Sequence, residues 1–330
     1  MARHIIFGGN GFLGRELVVQ LLQFGANKIV VVDPQMRPDA ELYRQKGVEF
    51  IQTTIADSIG GNLVNFQPDD VVHHLASKLI IPNRPRTGRY DYFAEANVVG
   101  TKLIVEAMVA AGCRNMHFWS TDMVYGPVKL KPRTEEHPLF PFGHYGDAKV
   151  AGEKIVREYV EKGDLNCTIF RPRLIIGAGR LGILETLFKL IYKGLPIPLI
   201  GFGKNRFQFV SVHDCARASI MALKSDNPCE TFNLGSANPP MVSELLNDLI
   251  EEVGSKSFLI KTPGSLTKLA LEALNLLKIS PMDPEQYRIA DLDVSLDITK
   301  AENLIDWVPQ DHDSQMLRSA YEHWLEHRNG

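Results

Sequence analysis

Residues 5–14 read Ile-Ile-Phe-Gly-Gly-Asn-Gly-Phe-Leu-Gly, an apolar run that ends in four glycines within seven residues. A helical pattern begins at once. Leu13, Leu17 and Leu21, with Val18 and Leu22, share one face, and Gly25 supplies a stop. Gly8-x-x-Gly11-x-x-Gly14 and Gly9-x-Gly11-x-x-Gly14 both fit this stretch. Strand, glycine turn and helix in that order predict a pyrophosphate cradle. The turn needs positive φ, the backbone must approach the phosphates closely, and the helix must pack tightly on the strand. The helix N-terminus, at Gly11, Phe12, Leu13 and Gly14, offers N–H groups and a positive dipole end. The next apolar run, 28–32, ends at Asp33, 19 residues beyond Gly14. A carboxylate there suits an adenosine ribose 2′-OH. Asp33 favours NAD over NADP, since it would repel a 2′-phosphate. Arg37, past the strand end, reads as a solvated loop charge.

Composition narrows the alternatives. With 45% hydrophobic and 23% charged residues, 330 residues can bury the core of one large or two modest domains. A net charge of −3 gives no general affinity for nucleic acid. Cys113, Cys167, Cys215 and Cys229 form no CxxC pair, and three lie in apolar runs. They read as small residues of a reduced compartment, not as a disulfide frame or metal site. The chain enters a strand within a few residues of its start, so no targeting segment is expected and the cytoplasm is the expected location.

Strand and helix alternate onward. Strands are predicted at 48–51, 69–76, 115–120 and 167–170, and helices at 92–111 and 145–160. This rhythm predicts a doubly wound parallel sheet with helices on both faces. Beyond Arg171 it loosens: strand returns at 207–212, helix at 213–223, and a terminal helix covers 314–327. The division expected is 1–170 with 207–231 for the dinucleotide, the latter passing back through the main sheet. Residues 171–206 and 232–330 form the substrate lobe. Leu266–Ile279 shows a narrow polar stripe, Lys268, Glu272, Asn275 and Lys278, on an apolar helix. It is too short for the roughly 20 residues of a bilayer span. A core or lid helix is preferred to peripheral membrane contact.

Tyr145-Gly-Asp-Ala-Lys149 puts a phenol and an amine one helical turn apart. Thr121 ends a parallel strand where open α/β sheets bind ligands. A free tyrosine, with a pKa of about 10, is a poor base at neutral pH. The Lys149 ammonium lowers that value while bonding the nicotinamide ribose, and Thr121 shares the substrate oxygen. His73 and His74 read as structural, and His144 reads equally as site or surface. Asp214 reads as a helix N-terminal charge, and Lys78, Arg84, Arg86 and Arg89 as a solvated basic loop or, second, a diphosphate contact.

Together these motifs resemble the extended short-chain dehydrogenases/reductases of the NAD-dependent epimerase/dehydratase family. Gly8/Gly11/Gly14, Asp33, His74-Leu75-Ala76-Ser77, Asn97–Thr101, the Thr121 strand, Tyr145/Lys149, Arg171-Pro172 and Val212-His213-Asp214 follow its order over most of the chain. The resemblance implies a Rossmann-like α/β domain with a smaller C-terminal mixed α/β substrate domain. It implies NAD, held also by Leu75, Ala76, Asn97, Lys149 and Arg171, and often a homodimer through the helices at 92–111 and 145–160. Thr121, Tyr145 and Lys149 become the catalytic set. Lys78, Thr121, Asp122, Met123, Arg180 and Arg206 become substrate contacts, and no metal is implied.

Three departures stand out. Thr54 replaces the family's adenine-meeting acid, with Asp57 three residues on. The phosphate-binding arginine is displaced to Arg206. Thr121-Asp122-Met123 resembles the Thr-Asp-Glu triplet of sugar 4,6-dehydratases, with methionine for glutamate. A nucleotide-sugar epimerase is therefore the leading expectation, with Tyr145 as acid/base. A 3β-hydroxysteroid dehydrogenase-like or sugar oxidoreductase with net redox is the alternative. A 4,6-dehydratase or an inactive NAD-binding regulator ranks lower.

Overall fold

The computed structural model describes residues 2–36, 43–80, 85, 87–127, 131–179, 182 and 184–328. β1 (His4–Phe7) leads through α1 (Phe12–Gln23) to β2 (Ile29–Asp33) and β3 (Val48–Gln52). After α2 (Ile55–Gly60) and β4 (Val71–His74) comes a long helical stretch: α3 (Arg89–Ala94), a π-helical turn (Glu95–Gly100) and α4 (Thr101–Ala110). Next are β5 (Asn115–Trp119), α5 (His144–Glu161), β6 (Asn166–Pro172), β7 (Leu174–Ile176), α6 (Leu184–Tyr192) and β8 (Ile197–Ile200). β9 (Phe209–Ser211), α7 (Val212–Lys224), β10 (Thr231–Leu234), α8 (Val242–Glu252) and β11 (Leu259–Thr262) follow. The chain continues through α9 (Gly264–Leu276), α10 (Pro284–Tyr287), α11 (Thr299–Ile305) and α12 (Asp313–His327).

The main sheet is parallel throughout, ordered β3-β2-β1-β4-β5-β6-β10. Its order reverses between β1 and β4, the switch point at which open α/β sheets leave a ligand crevice. One face is covered by α1, α7 and α11, through Leu17, Leu21, Ala218 and Ile305. The other is covered by α4 and α5, through Ile104, Met108 and Val156. A third core, with Phe188, Leu199, Leu249 and Trp324, belongs to the C-terminal half.

Three expectations need correction. The run 207–212 does not return to the main sheet: β9 pairs with β7 in a separate two-stranded sheet. Asp313 takes its Phe209 N–H at 2.7 Å and the Gln208 amide reaches Ser236 and Leu296, so side chains satisfy this segment. The strand that does join is β10, whose residues are all buried. The helix at 92–111 starts earlier, at Arg89, and is not uniform, because one turn is π-helical. Helix α9 is not a core helix, since Leu271 alone is buried while Leu266, Leu269 and Leu276 face outward. Among the described residues no helix is long and apolar enough to cross a membrane. Cys113, Cys167 and Cys215 are buried free thiols, while Cys229 is exposed.

Three histidines line up across the sheet interior. His4 Nδ1 lies 3.1 Å from His73 Nε2, and the His73 ring meets His117 edge-on at 4.8 Å. His117 bonds Ser219 and Asn227. Burial pushes His4 and His117 down to about 4, and His73 also well below its ordinary value. Unfolded, each takes a proton near pH 6.5; folded, His4 and His117 stay neutral until about pH 4. The unfolded chain thus binds more protons in that window, and stability falls with pH. His213, raised by its bond to Glu16, opposes this weakly from an exposed position. The urea midpoint is expected to drop steadily from pH 6.5 to 4, less steeply in His117→Asn; a flat profile in the wild type would refute the neutral cluster.

Candidate active site

The glycine loop closes on β4. Gly8 has φ +81°, and its N–H donates to Val32 at 2.8 Å. A Cβ on Gly8 would lie 2.6 Å from the Ala76 nitrogen, so only glycine lets the two strand ends meet. A Cβ on Gly14 would come within 2.5 Å of the Gly8 carbonyl, the close strand–helix packing expected. Gly11 caps α1 with no side chain in the way. The Asp33 carboxylate stands beside the loop, accepting from Asn10 N–H at 3.1 Å and Gln35 N–H at 3.0 Å. Leu75, whose N–H donates to Phe7 at 2.9 Å, and Ala76 continue β4 at the same edge.

Asn97 lies in the π-helical turn, fully buried, and neither its amide nitrogen nor its oxygen has a partner among the described residues. Such a group is costly unless a ligand meets it. π-turns recur at functional sites. The turn is clamped in place: Thr101 donates to the Asn97 carbonyl at 2.9 Å, and a Cβ on Gly152 of α5 would stand 2.5 Å from it. The cradle, Asp33 and the orphaned Asn97 amide fit a dinucleotide.

Tyr145 and Lys149 occupy the inner face of α5. Tyr145 is buried, its ring edge-on to Phe93 at 5.5 Å, with Ala148 and Met123 in the same cluster. Lys149 Nζ donates to the Trp119 carbonyl at 2.8 Å and stands 5.6 Å from the Phe118 ring centre. Burial pushes its pKa down to about 8, against the opposing charge of Glu153, so it remains a cation at neutral pH. Thr121 caps the short turn Asp122–Val124 after β5 and accepts from Met123 N–H at 3.3 Å. A Cβ on Gly146 would lie 2.6 Å from the Met123 carbonyl, so this turn abuts the start of α5. The structure thereby brings the Thr121 turn, Tyr145 and Lys149 together.

Other expected residues have different work. Asp122 and Arg173 form a buried ion pair at 2.8 Å. Arg171 is buried and bidentate to Glu153, at 2.9 and 2.6 Å, and also donates to Tyr125 Oη and the Glu135 carbonyl. Its guanidinium is committed inside the protein. Asp57 belongs to the start of α2, where Thr54 accepts its N–H and donates to its carboxylate. That local cap accounts for the missing acid at position 54. Arg206 donates to the Pro239 carbonyl at 2.7 Å. Lys78 stays at the rim, 3.5 Å from Glu95. Arg89 is no solvated loop residue but opens α3 paired to Asp283. His144 is exposed, and Asp214 supplies acceptors to Arg217, Gln310 and Asp311. Arg37, Arg84, Arg86 and Arg180 lie outside the described residues.

One residue had escaped the sequence reading. Glu285 of α10 is buried against the start of α5, and its Oε1 accepts from Tyr145 N–H at 3.2 Å. Burial pushes its pKa up. Asp283 and Gln286 cap this short helix reciprocally and so fix where Glu285 sits.

The sequence profile of the NAD dependent epimerase/dehydratase family matches residues 4–235. The chain belongs to this family. An uncharacterized protein of Sinorhizobium fredii is 32% identical over 96% of the chain and 77% of its own length. A UDP-glucose 4-epimerase of Mycolicibacterium smegmatis is 27% identical over 93% of the chain and 94% of its own. Among solved structures, a UDP-glucose 4-epimerase of Thermotoga maritima with UDP-glucose superposes with a TM-score of 0.77 at 23% identity. The match covers 98% of this chain and 99% of that one.

Membership of the NAD dependent epimerase/dehydratase family makes NAD the cofactor against which the cradle is judged. Asp33→Ala removes a ribose acceptor and a charge that repels a 2′-phosphate. It is expected to weaken NAD binding by about 1.5–3 kcal/mol and to narrow the preference over NADP. Titration with both cofactors checks this, and unchanged affinities would show that Asp33 does not meet the ribose.

Proposed function

We propose that the protein is an NAD-dependent nucleotide-sugar epimerase. The observation that carries this reading is the Thr121 turn against Tyr145 and Lys149, beside a turn stripped of elimination chemistry. When bound, NAD supplies the hydride acceptor and donor. Tyr145 takes the proton of a sugar hydroxyl as its carbon is oxidised and gives it back to the same oxygen as the planar keto carbon is reduced on its other face. Lys149, a buried cation held by the Trp119 carbonyl, favours the phenolate. Thr121 steadies the substrate oxygen, and the apolar wall of Phe93, Ala148 and Met123 keeps water from the keto sugar.

Elimination across C5–C6 of a hexose needs a base and an acid beside the threonine. Met123 accepts no proton, and Asp122 is tied to Arg173. The reaction therefore stops at reversible oxidation. The Mycolicibacterium and Thermotoga proteins named above support a UDP-sugar as substrate. Incubation with NAD and UDP-glucose, UDP-GlcNAc or dTDP-glucose in deuterated water tests the reading. An epimer without solvent deuterium at C5 is expected; a 4-keto-6-deoxy product deuterated there would overturn it.

The same proposal includes a division of labour, with 1–170 and 207–231 serving NAD and the remainder the sugar. It includes a homodimer through the outer faces of the α3–α4 stretch and α5, where Val99 is exposed and Leu103, Ala151 and Ile155 are half-buried. A cytoplasmic setting is supported by four free cysteines.

A further inference from the structure

Helix α9 carries its polarity reversed. Of its 13 residues only Leu271 is buried. Its charged groups and Thr267 engage the rest of the protein: Lys268 pairs with Asp291 and donates to the Arg288 carbonyl at 2.8 Å. Glu272 accepts from the Tyr287 hydroxyl and lies 3.5 Å from Arg288, while Thr267 bonds Thr262. These polar contacts hold the helix to β11 and the α10 segment. Its leucines point away. Leu266, Leu269 and Leu276 are 63, 68 and 76% exposed, and Leu277 and Ile279, just beyond, 70 and 63%. Ala270 and Ala273, also exposed, complete the face. At 3.6 residues per turn, 266, 269, 270, 273, 276 and 277 form one unbroken apolar stripe. Scattered exposed leucines need no explanation, but a contiguous face does. Phe258 and Ile260, leading into the helix, are also exposed.

Charge identifies the occupant. No acidic side chain interrupts the leucine face. Lys256 and Lys261 before the helix and Lys278 after it are exposed and enter no ion pair among the described residues. A protein of net charge −3 thus collects ammonium groups around this apolar helix face. We propose that α9 docks on an anionic lipid bilayer, lying in the surface plane with its leucines at the acyl boundary and its flanking lysines on the headgroups. A second copy suits the face less well. A helix about 20 Å long offers less than the roughly 800 Å² per partner of a stable interface. Antiparallel pairing would also set Lys261 of one copy against Lys278 of the other. The docking is independent of the sugar chemistry proposed above.

Co-sedimentation of the full chain with vesicles of phosphatidylcholine alone, or containing phosphatidylglycerol, tests this. Binding to the anionic vesicles is expected, roughly tenfold weaker with Leu269→Glu plus Leu276→Glu and weakened by salt. These side chains are exposed, so the double variant should keep the wild-type thermal midpoint. Absence of binding to either vesicle, or equal binding by the double variant, would overturn the proposal. So would a smaller oligomer in light scattering of the double variant without lipid, which would assign the face to a second copy.

Discussion

Tyr145→Phe is expected to lower turnover by about 10²–10⁴-fold, the range of general acid–base contributions, with NAD affinity close to wild type. The phenol lies on the inner face of α5 against the Thr121 turn, where it can exchange a proton with a sugar hydroxyl. The proposed cofactor cradle lies elsewhere, at the Gly8–Gly14 loop, Asp33 and Asn97. The ring stays packed on Phe93 in the variant, so the fold is preserved. Turnover within threefold of wild type would mean that another group is the base.

Glu153→Ala is expected to destabilise the protein by about 3–5 kcal/mol, the cost of leaving a buried charge without its partner. Arg171 would keep only Tyr125 Oη and the Glu135 carbonyl. The carboxylate is now held below its usual range: burial raises its pKa, but the Arg171 bonds and charge outweigh that. A catalytic signature should accompany the loss. Glu153 supplies the charge that opposes the desolvation of Lys149, so without it Lys149 falls further below about 8. The variant's activity should then decline at a lower pH on the alkaline side of its profile. Urea unfolding and a pH profile check both; a midpoint shift worth under about 1 kcal/mol would refute the buried-pair argument.

What the sequence disclosed was local. Gly8 and Gly14 were legible because a Cβ has nowhere to go, and that constraint is written within seven residues. Tyr145 and Lys149 were legible because helical spacing alone puts them on one face. Pairing between distant segments was not. The run 207–212 reads as a strand, but periodicity does not say which sheet it joins, and it gave no sign that 231–234 would take the place in the main sheet. Arg89 looked solvated because Asp283 is 194 residues away. Arg171 carries the resemblance to the family yet spends its donors on Glu153, which no spacing reveals. Helix α9 shows the same limit: its period was evident, but not that its charged flank would engage the rest of the protein.

The seat of Glu285 against Tyr145 bears on the order in which the chain matures. The contact joins residues 140 positions apart, whereas the cradle for the dinucleotide lies within the first hundred. Domains fold from the N-terminus during synthesis, and distant closures form late. The glycine loop of the proposed nucleotide grip can therefore form early on a ribosome-bound chain, while the clasp on Tyr145 waits until residues 283–287 emerge. Until then Tyr145 lacks the seat that the proposed chemistry needs.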